Sequence, residues 1–187
     1  MSITDVFLRI TTAFEHAGIG YMLVGSFAST GYGSPRSTQD IDVVITATPA
    51  QLEAFIQDLK GKNYYAEVDA ALEAHRSESM FNIIDQNTGW KIDLIFRKST
   101  PFGEEEFGRR RRVKLHGVQL FVASPEDVIL AKLGWAQKGA SHRQLEDAAS
   151  VLSVQDQALD MTYLQKWISE LGLWKEWERV REIAGVT

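Results

Sequence analysis

Asp40 and Asp42 stand one residue apart in Asp40-Ile41-Asp42-Val43-Val44-Ile45, and a Gly25-Ser26 pair follows the apolar run Tyr21-Met22-Leu23-Val24. In a strand, side chains two residues apart share a face and lie ~6.5 Å apart along it, so both carboxylates can reach one cluster of hard cations. Ile41, Val43 and Ile45 alternate with them, which gives the strand an apolar face and puts the acids at the opening of a buried strand rather than in a polar loop. A strand that ends in Gly and turns at once into a helix leaves free N–H groups and a positive dipole end, a ready site for an anion. Together these elements suggest a metal and nucleotide site. A third acid, Asp93 in Lys91-Ile92-Asp93-Leu94-Ile95-Phe96, sits among apolar neighbours, where an unpaired charge is costly to bury.

Gly25-Ser26, thirteen intervening residues, Asp40-Ile41-Asp42 and then Asp93 between apolar neighbours on a later strand resemble the signature of the polymerase-beta-like nucleotidyltransferase superfamily. Pro35-Arg36-Ser37-Thr38-Gln39, together with Ser124-Pro125-Glu126-Asp127 opening a helix that carries Lys132, is similar to the abortive-infection (AbiEii-like) toxin branch. The resemblance covers about residues 20 to 150. It implies an α/β (α+β) fold: a mixed nucleotidyltransferase-type sheet flanked by helices, followed by a small C-terminal helical subdomain. It implies that Asp40, Asp42 and Asp93 hold Mg²⁺ or Mn²⁺ and act in catalysis. Gly25 and Ser26 would hold phosphates of a nucleoside triphosphate, with Arg36 and Thr38 in a loop over the nucleotide. Lys132 and Asp147 occupy positions similar to later motifs of the toxin branch that face the active site. The plain alternative is an exposed Lys132, with Arg143 paired to Asp147 at i,i+4 spacing.

The elements that must position these residues follow from periodicity and punctuation. Ile3, Val6, Phe7, Ile10 and Phe14 mark a helix over 3–17 that Gly18 and Gly20 close, followed by a strand at 21–24. A short helix should run from the Gly-Ser turn to about Gly31, with a loop at 33–35 leading to the Asp40 strand. Leu52, Phe55, Ile56 and Leu59 give a crossover helix over 49–60. Residues 79–85 and 90–96 read as a hairpin, and 110–115 with 118–122 as a second one around His116-Gly117. Ser124 as N-cap, Pro125 at the first helical position and Asp127 three residues past the cap start a helix that runs to Gly139. Leu164, Trp167, Ile168 and Leu171, then Trp174, Trp177 and Val180, mark further helices. The chain accordingly divides into a sheet domain, 1–123, and a helical subdomain, 124–187.

Composition narrows the class. With 187 residues and 44% hydrophobic content the chain can bury one core plus a small helical appendage. No cysteine is present, which excludes disulfides and thiolate metal sites. The start lacks a basic leader and no apolar run reaches the length of a membrane span, so a cytoplasmic protein without membrane contact is expected. A net charge of -5 argues against a generally basic nucleic-acid binder. Residues 91–125, with 8 basic and 4 acidic side chains, are the one basic segment. Arg109 to Arg112 in that segment would present alternate arginines to opposite faces of a strand. They suggest an RNA-contacting rim or a charged edge that discourages sheet aggregation. The four histidines show no zinc-ligand spacing, and the tryptophans read as core or interface residues.

The function expected is transfer of a nucleoside monophosphate from a triphosphate to an acceptor hydroxyl on an RNA 3′ end, a protein or a small molecule, as a toxin of a toxin-antitoxin or abortive-infection system. The protein would be monomeric or weakly dimeric, with an antitoxin as a further partner. The alternatives are a non-catalytic partner of the same fold, such as an antitoxin, and a nucleic-acid binder working through Arg109 to Arg112.

Overall fold

A computed structural model describes residues 2–34, 37–139 and 141–186. The described residues begin with helix α1 (Ile3–Ala17), strand β1 (Gly20–Leu23), helix α2 (Gly25–Tyr32), strand β2 (Asp40–Thr46) and helix α3 (Pro49–Lys60). A two-residue strand β3 (Tyr64–Tyr65), α4 (Val68–Arg76), β4 (Met80–Asp85), β5 (Lys91–Phe96) and α5 (Pro101–Gly108) come next. The chain continues through β6 (Arg111–Leu115), β7 (Val118–Val122), α6 (Pro125–Gly139), α7 (His142–Gln155), α8 (Met161–Glu170) and α9 (Trp174–Ala184). This is the mixed α/β architecture expected. Among the described residues no helix is long and apolar enough to cross a membrane.

Two compact units are present: Met1–Val24 with Thr38–Val122, and Gly25–Ser37 with Ala123–Thr187. The first holds the sheet, in the order β3-β4-β5-β2-β1-β7-β6. Parallel pairing joins β2 to β5 and β1 to β7, and the other neighbours are antiparallel. Ile41, Val43 and Ile45 lie beside Ile92, Leu94 and Phe96 and form one buried face. Phe14 of α1 stacks at 5.2 Å on Phe55 of α3 and at 5.3 Å on Tyr21 of β1, which ties both helices to the sheet side. Both helices start with reciprocal caps, Ser2 with Asp5 and Thr48 with Gln51. Gly18, at φ 66°, ends α1 in a left-handed conformation that glycine adopts without a Cβ clash.

The second unit is helical. Leu145, Ala148, Val151 and Leu152 of α7 are buried with Leu164, Trp167 and Ile168 of α8 and Trp177 and Val180 of α9. Leu171 and Trp174, expected on the same stripes, are exposed because they fall at the end of α8 and the start of α9. Gly25–Ser37, expected in the sheet domain, packs with these helices. Gln155 Nε2 donates to the Tyr32 carbonyl at 2.8 Å, and Ser34 N–H donates to Ser150 Oγ at 2.7 Å. A Cβ on Gly33 would meet that same hydroxyl at 2.8 Å, so the approach of α2 to α7 requires glycine there.

Candidate active site

Parallel register sets the carboxylates side by side: Asp40 lies opposite Lys91, and Asp42 opposite Asp93. Residues in register share a face, so Asp40, Asp42, Lys91 and Asp93 form a two-by-two grid on the face of β2 and β5 opposite the buried aliphatic one. Asp40 is exposed, Asp42 half-buried and Asp93 buried. Antiparallel pairing brings Asn82 of β4 beside Asp93 on the same face.

Lys91 supplies the positive charge in the grid. Its Nζ stands 2.9 Å from Asp93 Oδ2 and 3.8 Å from Asp40 Oδ1. The hydrogen bond to Asp93 raises the ammonium pKa above its ordinary value, with Asp40 and Asp42 adding in the same direction by charge. The other Asp93 oxygen, Oδ1, is buried and has no hydrogen-bond partner. That orphaned oxygen lies on the face that also carries Asp40 and Asp42, and carboxylate oxygens are the donors a hard divalent cation takes. Among the described residues no group of three His, Cys, Asp or Glu side chains is gathered closely enough to hold a metal ion. The grid instead holds an ammonium. No role for Lys91 was read from the sequence, although it precedes Asp93 at the spacing that separates Asp40 from Asp42.

The remaining expected residues fall as follows. Val24 N–H donates to the Asp42 carbonyl at 2.9 Å, so the sheet pairing of β1 reaches the residue just before Gly25. Gly25 itself has φ 63°, which lets the chain turn from strand to helix in one step. Ser26 is half-buried, and its carbonyl accepts from Ser29 Oγ at 3.0 Å. Thr38 Oγ1 donates to the Asp40 carbonyl at 3.3 Å and so fixes the entry to β2. Arg36 lies outside the described residues.

In the second unit Lys132 is buried, not exposed, and its Nζ meets Asp147 Oδ2 at 2.7 Å. The pair joins α6 to α7 in place of an Arg143–Asp147 pair. At the start of α6 the buried Asp127 accepts from Ser124 Oγ at 2.6 Å and from the Tyr163 hydroxyl at 2.6 Å. The buried Glu126 accepts the Asp160 N–H at 3.0 Å. The Ser-Pro-Glu-Asp segment thus binds the start of α6 to α8.

The arginine run is not a uniform strand edge. Arg109 caps α5 and Arg110 precedes β6, so Arg111 and Arg112 alone are in the strand. Arg110 lies over the Phe107 ring at 4.3 Å and the Phe121 ring at 5.1 Å and donates to the Phe107 carbonyl at 2.7 Å. Arg112 lies over Phe121 at 5.0 Å. These cations are engaged with the protein's own aromatic rings.

No protein-family model matches the chain, and no curated protein matches its sequence. Its fold, in contrast, is similar to that of solved structures. The solution structure of the antibiotic-resistance factor ANT(2″)-Ia aligns over 95% of this chain and 98% of its own, with a TM-score of 0.59 and 15% identity. ANT(2″)-Ia in complex with adenylyl-2″-tobramycin aligns over 91% and 99%, with a TM-score of 0.61 and 12% identity. The lincosamide antibiotic adenylyltransferase LnuA, lincomycin-bound, aligns over 82% and 98%, with a TM-score of 0.56 and 16% identity. The chain has the nucleotidyltransferase fold.

Proposed function

We propose that this chain is a divalent-metal-dependent nucleotidyltransferase whose acceptor is a hydroxyl of a small molecule. The observation that carries the proposal is the register of Asp42 with Asp93, with a buried, unpartnered oxygen on Asp93. Asp40, Asp42 and Asp93 would hold Mg²⁺ or Mn²⁺, which when bound neutralises charge on the triphosphate and lowers the pKa of the attacking hydroxyl. Gly25 and Ser26, following β1 directly, would offer their amides and the Ser26 hydroxyl to phosphate. The acceptor oxygen bonds to the α-phosphorus as the bond from that phosphorus to the bridging oxygen breaks. Pyrophosphate leaves with the electron pair, and the hydroxyl proton passes to the Asp93 carboxylate or to water. Positioning and charge neutralisation supply most of the rate in such chemistry, which suits a chain without a cysteine nucleophile.

The lincosamide antibiotic adenylyltransferase LnuA and the complex of ANT(2″)-Ia with adenylyl-2″-tobramycin, both similar in fold, support a small-molecule acceptor. The RNA reading rests on Arg109 to Arg112, of which Arg110 and Arg112 lie over the Phe107 and Phe121 rings. The toxin reading rests on the Ser124–Asp127 segment with Lys132 and Asp147, which here build the helical unit. The test is thermal unfolding with each of the four nucleoside triphosphates and Mg²⁺. The best triphosphate raises the parent midpoint through preferential binding to the native state, and Asp42→Asn loses most of that rise. Equal shifts in parent and variant would remove Asp42 from the site.

A further inference from the structure

Lys91 occupies the position in the carboxylate grid where positive charge is needed, and this inference rests on the nucleotidyltransferase reading above. Its ammonium is 2.9 Å from Asp93 and 3.8 Å from Asp40, while its side chain keeps 41% of its surface in water. The long stem can therefore swing the charge into solvent without disturbing the sheet. Asp93, whose side chain is 9% exposed, has no such freedom, and its Oδ1 is left without a partner even with Lys91 in place. One ammonium thus serves Asp93 Oδ2 and Asp40 incompletely. A divalent cation brings twice the charge and can take the orphaned oxygen, but it cannot share the grid with an ammonium at this distance without strong repulsion.

We infer that Lys91 is a displaceable internal counter-ion that sets how tightly the Asp40, Asp42 and Asp93 cluster binds a divalent cation. In the metal-free protein it relieves the mutual repulsion of the acids. Binding a divalent cation includes the work of moving Lys91 out, so the protein holds metal alone weakly. Lys91 acts through the carboxylates and is a positioning residue.

The experiment titrates Mn²⁺, without nucleotide, into full-length parent, Lys91→Met, Lys91→Gln and Lys91→Arg, reading free Mn²⁺ by electron paramagnetic resonance. The neutral variants should bind Mn²⁺ about tenfold or more tightly than the parent, since a repelling charge has been removed from contact range. Lys91→Arg keeps the charge and should behave as the parent does. The gain should vanish in Lys91→Met combined with Asp42→Asn, which ties it to the cluster. Lys91→Gln repeats the test if Lys91→Met folds poorly. Neutral variants that bind no more tightly than a parent whose Mn²⁺ depends on Asp42 would overturn the counter-ion role and leave the nucleotidyltransferase reading intact. Absence of Mn²⁺ binding by the parent and every Lys91 variant would overturn the counter-ion role and the metal reading together.

Discussion

Asp42 and Asp93 carry like charges at neighbouring positions of two parallel strands, an arrangement that costs free energy unless a cation answers it. Such a cost is retained where charge has work to do, and the variants follow from it. Asp42→Asn should lower transfer by about a hundredfold or more, as expected when a group that acts on the transition state is removed. Its unfolding midpoint should stay within a few degrees of the parent, because Asp42 is only half-buried and its loss relieves repulsion. Steady-state kinetics and a thermal scan on one preparation check both halves. The acids were legible because period-two alternation with Ile41, Val43 and Ile45 is local information. Lys91 was not, since its role depends on which strand lies beside β5 and in what register, and that pairing spans some fifty residues of chain. Thr38 was legible as part of the loop, but its bond to the Asp40 carbonyl depends on the backbone path.

The elements with strong apolar stripes or explicit punctuation, α1, α3, α6 and the hairpin of β6 and β7, were legible to within a residue or two. His116 at φ 47° and Gly117 at φ 83° form the two-residue turn that the sequence indicates. Helices α4 and α5 were not read. The buried positions of α4 are Ala71 and Ala74, and α5 buries Gly103 and Phe107, so neither presents the run of large apolar residues that announces a helix face. The pairing of Lys132 with Asp147 was hidden for a related reason: two charges on different helices show no spacing rule. Because Lys132 is buried and the Asp147 side chain is only 10% exposed, Lys132→Met should destabilise the protein by about 3 kcal/mol, by leaving Asp147 without its ammonium. The double variant Lys132→Met with Asp147→Leu should recover most of that loss in urea unfolding; a double variant as unstable as the single one would mean that the pair is not coupled. Tyr163→Phe removes a donor from the buried Asp127 and should cost about 1 to 3 kcal/mol by the same measurement.

For the molecule as a whole, stability should fall on the alkaline side. Burial raises the phenol pKa of Tyr21 and of Tyr64 above 10.0, with smaller opposing contributions from a hydrogen bond near Phe121 and from Arg9 respectively. A raised native value means that the unfolded chain releases the proton first, so this stability is complete below the unfolded value of 10.0 and is lost as pH rises through the native ones. The urea midpoint should therefore drop as pH rises past about 10, and drop less in Tyr21→Phe with Tyr64→Phe. Nucleotidyl transfer by the aspartate cluster can be followed with α-labelled nucleoside triphosphates. Each of the four is incubated with Mg²⁺ and a cell extract, and the label is followed into small-molecule, RNA and protein fractions. Label from the α position but not the γ position should appear in the small-molecule fraction with release of pyrophosphate, and both should be lost with Asp42→Asn or Asp93→Asn. No transfer of α-label to any fraction by the parent, or equal transfer by the aspartate variants, would contradict nucleotidyl transfer by the cluster.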